Sequence, residues 1–508
     1  MKARLKLTTL ILFLSTIIAY GQIQDLSNMA AGKIVYHKTL FDSNEKIYGY
    51  LYIYEQDKNE QAKTMEYVFL DKNLNKVSNK EFESKIYEKV KSFFYSATLM
   101  GDYIILNKYY YYNSFFSGSN PLLSTFQIIS LKENTVSPEY KFENDSFVEF
   151  VAQFDKMKSD YKNQEFRDII YGFNNGTFKG FYIIQDYPKK SWLEKSFTFF
   201  NENHEKIWNF EYNPSGTKDD YNTFGFIEVS KTTMYLAISN WHSGFDISPS
   251  IVEYKIVALD MLTGKKKYEF VFENKKSEYS HTVTAKEINN KLYLTGNYSA
   301  YKSTDFSLDQ NLGFYKIVLD ENGNKIESSY TKWEDFSPYI KVDKRGRVES
   351  NYRLRPVKYF IFNDGTVSFL SIKYKYDPYW TGASKMTDFV LFNMKTDFKV
   401  DTVNIIKKEL SYYSSEYLFS QYVKNDSAAV FFYYDIKKDP GESQYDSKNM
   451  MLGINMIQKG RLTEEKIPLS AKKKYYIVPS PAKEGYIMLH EYNEKDKYNK
   501  IRLEKLNY

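Results

Sequence analysis

The sequence predicts an all-β protein that folds as a single β-propeller, and three observations support this prediction. The chain contains 49 tyrosines and 38 phenylalanines, and aromatic residues make up 18% of it. Aromatic side chains favour β-strands. A pattern of four short strands recurs along the chain, as in repeat architectures. The pattern continues to the last residue, Tyr508, so one repeated unit accounts for the sequence after its N-terminal segment.

The most regular element of the repeat is the hairpin turn between its third and fourth strands. In each copy, strand-forming residues precede an Asp or Asn that can bond its own backbone, and small or αL-tolerant residues follow. The copies lie at residues 69–77, 199–207, 258–265, 318–326 and, less closely, 391–397. The segment 320–324 resembles the start of a calcium loop, but it lacks the Gly and Glu required at the sixth and twelfth positions. The sequence therefore predicts a hairpin there as well.

A second polar turn joins the first two strands of each repeat, and a strongly apolar strand follows it. These turns lie at residues 42–45, 100–102, 174–176, 230–233, 289–290, 363–365, 424–426 and 482–485. The chain holds eight first, second and third strands but seven fourth strands, which predicts eight blades with the N-terminal segment 22–29 closing the last one. Closure removes exposed sheet edges. Seven blades is the rival count, because the first repeat and residues 147–168 are irregular, and tandem β-sandwiches are the other alternative.

The N-terminus has the three parts of a secretory signal peptide. Lys2, Arg4 and Lys6 precede an apolar run from Leu7 to Ala19, and Ala19-Tyr20-Gly21 offers small residues to a signal peptidase. We predict a signal peptide at residues 1–21 and a propeller domain at 22–508. The mature protein is then exported, either to the periplasm or to the cell surface or medium. No later apolar stretch reaches the length of about 20 residues that spans a bilayer, and without Cys the lipoprotein route is closed.

The net charge and the composition limit the classes of partner that the sequence predicts. Removal of the signal peptide leaves 67 basic against 64 acidic residues, counted from 70 and 64 in the full chain. A balance this close to neutrality argues against a nucleic-acid binder. The high content of Lys, Asn, Tyr and Ile is typical of exported proteins of low-G+C Gram-negative bacteria.

One repeat resembles a known family. Residues 258–268 read Ala-Leu-Asp-Met-Leu-Thr-Gly-Lys-Lys-Lys-Tyr, which is similar to the Ala-x-Asp-x-x-Thr-Gly-Lys repeat of the quinoprotein-like (PQQ-repeat-type) β-propeller superfamily. Tyr268 stands where that repeat has Trp. The resemblance implies eight blades and either a quinone-dependent dehydrogenase or a periplasmic scaffold. The adjacent cysteine pair of the dehydrogenases is missing here, as is any match to their calcium ligands, so the resemblance supports the fold rather than the activity.

The sequence predicts neither catalysis nor a cofactor or metal. His37, His204, His281 and His490 lie in or beside strands and turns, where a histidine at the solvent edge is the ordinary outcome. There is no nucleophile elbow, phosphate loop or Cys/His metal spacing. Paired carboxylates for glycoside hydrolysis stay open as an alternative, because they can come from separate blades. The acidic residues available in long connections are Asp219, Asp220, Asp246, Asp305, Asp309 and Asp377.

The connections between the second and third strands and between blades hold nearly every insertion, such as residues 109–122 within a blade and residues 331–351 between blades, whereas the tight turns are uniformly short. Insertions in repeat proteins mark the binding face, and these insertions are rich in aromatic residues, which suit sugars and protein partners. The candidate ligand-binding residues are Tyr111, Tyr112, Phe115, Trp241, His242, Tyr298, Tyr301, Tyr379, Trp380, Arg345 and Arg347. We therefore predict a non-catalytic exported propeller that binds an envelope protein or a glycan, with a carbohydrate-active enzyme as the alternative.

Overall fold

The fold is that of an eight-bladed β-propeller, seen in a computed structural model as eight antiparallel sheets, called blades 1 to 8 in chain order. The structure describes residues 23–42, 46–59, 62–86, 90–114, 118–143, 146–150, 169–174, 179–186, 195–212, 220–242, 250–274, 276–300, 311–376, 384–409, 417–437, 450–469, 475–493, 495 and 498–507. The predicted signal peptide lies outside the described residues. The described chain contains no helix long and apolar enough to cross a membrane.

The blades fall into two compact units, the first holding blades 1, 2 and 8 and the second blades 3 to 7, with Gly172–Asn174 of blade 3 grouping with the first. The strands of blade 1 are β2 (Lys33–Phe41), β3 (Ile47–Lys58), β4 (Ala62–Asp71) and β5 (Lys76–Lys85). Those of blade 2 are β6 (Lys91–Met100), β7 (Tyr103–Ser114), β8 (Gly118–Ser130), β9 (Thr135–Val136), β10 (Tyr140–Glu143) and β11 (Ser146–Glu149). Those of blade 8 are β33 (Tyr476–Pro481), β34 (Tyr486–Asn493), β35 (Tyr498–Lys505) and β1 (Ile23–Asp25).

The second unit follows the same plan. Blade 3 contains β12 (Ile169–Asn174), β13 (Lys179–Asp186), β14 (Lys195–Asn201) and β15 (Lys206–Tyr212). Blade 4 contains β16 (Asp220–Val229), β17 (Thr233–His242), β18 (Ser250–Asp260) and β19 (Lys266–Asn274). Blade 5 contains β20 (Tyr279–His281), β21 (Thr284–Ile288), β22 (Lys291–Ala300), β23 (Asn311–Leu319) and β24 (Lys325–Lys332). Blade 6 contains β25 (Arg353–Ile361), β26 (Val367–Tyr376), β27 (Ser384–Met394) and β28 (Val400–Ile406), and blade 7 contains β29 (Tyr417–Val423), β30 (Ala428–Ile436), β31 (Met450–Gln458) and β32 (Arg461–Pro468).

The N-terminal segment closes blade 8, as predicted. β1 pairs antiparallel with β35 through Ile23↔Arg502 and Asp25↔Lys500, and it occupies the position of the missing fourth strand. The short 3-10 helix Leu26–Asn28 follows it, and the buried side chain of Leu26 joins the core shared by blades 1 and 8. The chain therefore has eight blades rather than seven.

The predicted hairpin turns share one hydrogen-bond pattern. In blade 5, Asp320 Oδ1 accepts from the backbone N–H groups of Asn322 and Asn324, at 2.9 and 2.8 Å. Asp71 and Asn201 make the equivalent pairs of bonds in blades 1 and 3. These side chains satisfy backbone donors that the tight turn would otherwise leave unpaired, which confirms the hairpins predicted at these positions.

Aromatic rings dock on these turns from the preceding blade. Trp208 on β15 lies against Gly264 in the turn of blade 4, and its indole N–H donates to the carbonyl oxygen of Met261 at 3.0 Å. Tyr268 on β19 lies in the same way against Gly323 in the turn of blade 5. Both glycines have positive φ, +65° and +81°, so they supply a backbone conformation and a flat contact surface that a side chain would remove.

Three connections differ from the sequence prediction. Residues 109–122, expected to be a loop insertion, mostly extend the hairpin, since β7 runs to Ser114 and β8 starts at Gly118. The segment after β8 forms an added hairpin, β10–β11, whose first strand pairs with β8, and most of the irregular stretch 147–168 lies outside the described residues. The long connection after β24 is folded, with a 3-10 helix at Trp333–Phe336 whose two aromatic rings are buried.

Candidate functional site

The structure describes the side chains of only some of the predicted ligand-binding residues. Phe115, Tyr301, Tyr379 and Trp380 lie outside the described residues, and for Tyr112, Trp241 and His242 only the place in a strand is described. Tyr111 lies on β7 and contacts the ring of Phe93 on β6. The remaining three are Tyr298, Arg345 and Arg347, all in the second unit.

Tyr298 belongs to a cluster at the end of blade 5 where the long connections begin. Its ring centroid lies 5.1 Å from that of Tyr279 and 5.0 Å from that of Tyr330, and Tyr279 lies 5.5 Å from Tyr330. The strand register explains the meeting, since β20 pairs with the end of β22 so that His281 is opposite Tyr298. We call Glu273, Tyr279, His281, Tyr298 and Tyr330 the tyrosine–histidine cluster.

A buried carboxylate orients the imidazole at the centre of this cluster. Glu273 Oε1, at the end of β19, lies 3.1 Å from His281 Nδ1 and also accepts from the backbone N–H of His281. The other ring nitrogen, Nε2, lies 3.0 Å from the hydroxyl oxygen of Tyr330. With Nδ1–H donating to the carboxylate, Nε2 is left to accept from the Tyr330 hydroxyl. The three groups thus form one hydrogen-bonded chain from the protein interior to the surface.

The exposed fraction increases along this hydrogen-bonded chain from Glu273 to Tyr330. The side chain of Glu273 is fully buried and that of His281 is 5% exposed, whereas Tyr330 is 39% exposed. Burial is the main cause that raises the pKa of the Tyr330 hydroxyl, so this group stays protonated at neutral pH and can act as a hydrogen-bonding group rather than as a nucleophile. The cluster therefore presents a neutral aromatic surface with a fixed polar edge.

Tyr298 and His281 differ from their sequence descriptions. Tyr298 is 2% exposed, so it supports the rings of Tyr279 and Tyr330 from beneath instead of offering its own face to solvent. The interpretation of His281 as a solvent-edge histidine is wrong, because its ring packs against Phe272 and Tyr315 at 4.7 Å. The cluster was missed because its residues come from separate strands whose register the sequence does not specify.

The arginines of the long connection after β24 lie in a structured turn. Asp343 Oδ1 accepts from the backbone N–H groups of Arg345 and Arg347, both at 2.9 Å, in the pattern of the hairpin turns. Asp343 Oδ2 also lies 2.7 Å from the Arg347 guanidinium. Arg347 is thus partly committed to an intramolecular ion pair, whereas Arg345 is exposed. Ligand binding by this pair stays a prediction.

Blades 6 and 7 carry an ionic network at the same end of their strands. Asp388 on β27 binds the ammonium groups of Lys373 and Lys407, at 3.1 and 3.0 Å, and Asp435 on β30 binds that of Lys466 at 2.6 Å. Burial lowers the pKa of the neighbouring Lys408 to about 8. These ion pairs lie within each blade, and the Lys466 ammonium also donates to the carbonyl oxygen of Lys407 at 2.6 Å, which links blade 7 to blade 6.

The titratable side chains can be compared with metal and acid sites in the part of the chain that the structure describes. There, no group of three or more His, Cys, Asp or Glu residues is arranged to hold a metal ion. The carboxyl groups whose pKa is displaced all have it lowered, which is opposite to the shift of a general acid. They are Asp260, Glu269, Asp320, Asp343, Glu349, Asp388 and Asp397.

Comparison by sequence places the chain in a family. Residues 1–385 match the model of DUF6770, a family of unknown function. The chain belongs to the DUF6770 family. Among curated proteins, none matches this DUF6770 member.

Solved structures match the DUF6770 propeller at low identity. Prolyl oligopeptidase B from Galerina marginata is 9% identical, with a TM-score of 0.38 and coverage of 94% of this chain and 56% of the enzyme. A europium-containing methanol dehydrogenase is 8% identical, with a TM-score of 0.38 and coverage of 95% of this chain and 93% of the dehydrogenase. The chain spans about half the length of the prolyl oligopeptidases it matches, and likeness at this level carries no argument about activity.

Proposed function

We propose that this DUF6770 member is a non-catalytic exported propeller that binds a glycan through the tyrosine–histidine cluster and the long connections beside it. The observation that carries this proposal is the hydrogen-bonded chain from Glu273 through His281 to the exposed hydroxyl of Tyr330. It holds two partly exposed rings, Tyr279 and Tyr330, in fixed positions before any ligand arrives. Preorganisation lowers the entropy cost of binding.

A glycan suits this surface because a sugar ring has an apolar face and a polar edge. The rings of Tyr279 and Tyr330 offer the flat apolar contact, and their hydroxyl groups offer hydrogen bonds. Tyr279 also donates to Glu278 at 2.7 Å, which fixes the second hydroxyl. An envelope protein is the other partner that such a surface fits, since Tyr is enriched in binding hot spots.

Replacement of Tyr330 tests the binding proposal. We expect Tyr330→Ala to weaken affinity for the recognised oligosaccharide at least tenfold, because it removes an anchoring ring. Tyr330→Phe, which keeps the ring but loses the bond to His281, should weaken it less. Tyr339→Ala is the matched control, because Tyr339 is 48% exposed in the same unit but lies outside the cluster.

The measurement is an oligosaccharide array screen followed by calorimetric titration of the full mature chain. Glycan binding that Tyr339→Ala and Tyr330→Ala affect equally would contradict the role of the cluster. Release of new reducing ends from a bound oligosaccharide would instead establish the carbohydrate-active enzyme. A Tyr330-dependent complex with an envelope protein, in the absence of glycan binding, would replace the glycan by a protein partner.

Export is the second part of the proposal, and it rests on the basic and apolar N-terminal segment. We expect the protein recovered from the periplasm, cell surface or medium to begin at Gln22. N-terminal sequencing of that protein is the measurement. A cell-associated form that retains Met1 and fractionates with cytoplasmic markers would contradict export.

A further inference from the structure

A cleft of about 420 Å³ lies between blades 1 and 2, within the first compact unit. Strand β5 forms one wall, and residues 135–139 with the end of β11 form the other. Small-molecule sites range from roughly 300 to 1,000 Å³, so the cleft is large enough to hold a ligand. Its residues are separate from the tyrosine–histidine cluster, and the inference drawn from it goes beyond the proposed function.

One residue that lines the cleft carries a hydrogen-bond acceptor for which the described part of the chain supplies no donor. Gln127 on β8 lines the cleft and is 4% exposed. Its Nε2 donates to the carbonyl oxygen of Ser137 at 3.2 Å, which fixes the orientation of the amide, and its Oε1 has no partner among the described residues. A buried acceptor without a partner has lost its hydrogen bonds to water without replacement, which destabilises the folded protein. A ligand that donates a hydrogen bond here would recover part of this cost.

The charge of the cleft favours a cation. Four glutamates line it, Glu81, Glu83, Glu139 and Glu149, together with two lysines, Lys80 and Lys85. Glu139 is already neutralised by the ammonium group of Lys108 at 3.2 Å. Among the described residues that line the cleft, the remaining three carboxylates and two ammonium groups are exposed and leave one negative charge. A ligand with a single positive charge balances it.

We propose that this cleft binds a small molecule bearing a protonated primary amine. The ammonium group is a cationic donor with three hydrogens, so it meets both the unpaired Gln127 acceptor and the excess carboxylate. Pro138 and Val136 line the cleft beside these groups and provide an apolar contact for the carbon skeleton. An amino sugar and an alkylamine share this chemistry, and the experiment distinguishes them.

The test is calorimetric titration of the full mature chain at pH 6.5 with glucosamine and butylamine. Glucose, N-acetylglucosamine and butanol are the neutral counterparts. We expect at least one amine to bind at least tenfold more tightly than its neutral counterparts. Tighter binding of glucosamine than of butylamine would identify the ligand as an amino sugar. Tighter binding of butylamine would identify it as an alkylamine. Equal binding of amine and neutral counterparts, or no binding of either amine at millimolar concentration, would overturn the proposal.

Two variants locate the site. Gln127→Leu removes the acceptor without adding a charge and should weaken amine binding about tenfold, and Glu149→Gln, at the exposed rim, should weaken it several-fold. Glu133→Gln is the matched control, because Glu133 is exposed on the same blade but does not line the cleft. Amine binding that survives Gln127→Leu and Glu149→Gln unchanged would place the amine elsewhere. Because the Tyr330 variants leave this cleft intact, failure of glycan binding and failure of amine binding are separate results.

Discussion

Gly264→Ala lowers the free energy of unfolding of the second unit by about 3 kcal/mol, the sum of two penalties. The φ of +65° strains any residue with a Cβ by about 1 kcal/mol or more. The added methyl group would also lie 2.4 Å from the ring of Trp208, and overpacking of this kind costs roughly 1–3 kcal/mol. The indole cannot retreat easily, because it is 6% exposed and bonded to Met261.

Gly460→Ala separates the two penalties in the same unit. Gly460 has a similar φ of +72°, but the nearest atom to an added methyl group is the end of the flexible Asp401 side chain. We expect a loss of about 1 kcal/mol there, from the backbone alone. Urea titration followed by tryptophan fluorescence is the measurement, since all five tryptophans belong to the second unit. Equal losses in the two variants would show that the docked ring contributes nothing.

The local chemistry of the turns was predictable from the sequence, whereas the docking of rings on them was not. An Asp or Asn before small residues specifies its own turn through short-range bonds, as Asp320 does. The contact between Trp208 and Gly264 joins two blades, and it depends on how neighbouring sheets pack. The resemblance at residues 258–268 pointed to an aromatic residue at Tyr268, and the structure gives it a physical role against Gly323.

The candidate site was predictable only in its location. The length of the connections placed Tyr298 at the end of its blade where the long connections begin, and the cluster lies at that end of the strand. Whether a tyrosine faces solvent or its neighbours depends on strand register, which the sequence around Tyr279, Tyr298 and Tyr330 does not specify. The spacing of Tyr279 and His281 was a weak indication of the cluster, because residues two positions apart lie on the same face of a strand.

The largest electrostatic effect is expected at the buried ion pair of blade 2. Lys108 is 2% exposed, its ammonium lies 3.2 Å from Glu139 and 2.8 Å from the hydroxyl oxygen of Ser84 on β5, and Glu139 is 9% exposed. Glu139→Gln leaves a buried ammonium without its counter-charge, and we expect a loss of about 3–5 kcal/mol. The double variant Lys108→Met/Glu139→Gln should recover most of this loss, because it removes the stranded charge as well.

The stability of the Glu139→Gln variant is also expected to depend on pH, in a direction that follows from the pKa of Lys108. Burial lowers the pKa of Lys108 in the folded protein, while the attraction of Glu139 opposes the shift. Loss of that attraction lowers the folded pKa further below the unfolded value of about 10.4. The unfolded chain then binds more protons than the folded one between the two values, so the stability of Glu139→Gln rises with pH across that window. The defect should therefore be largest at neutral pH and shrink toward pH 10.

Glu55→Gln is the matched control, since Lys63 and Glu55 form a more exposed ion pair, 2.6 Å long, in the same unit. We expect it to cost about 0–1 kcal/mol and to show no comparable rise with pH. Because the first unit contains no tryptophan, hydrogen exchange along β7 and circular dichroism report its unfolding. If Glu139→Gln costs no more than Glu55→Gln, the ammonium of Lys108 does not depend on its carboxylate, and the pair positions blades 1 and 2 through packing instead.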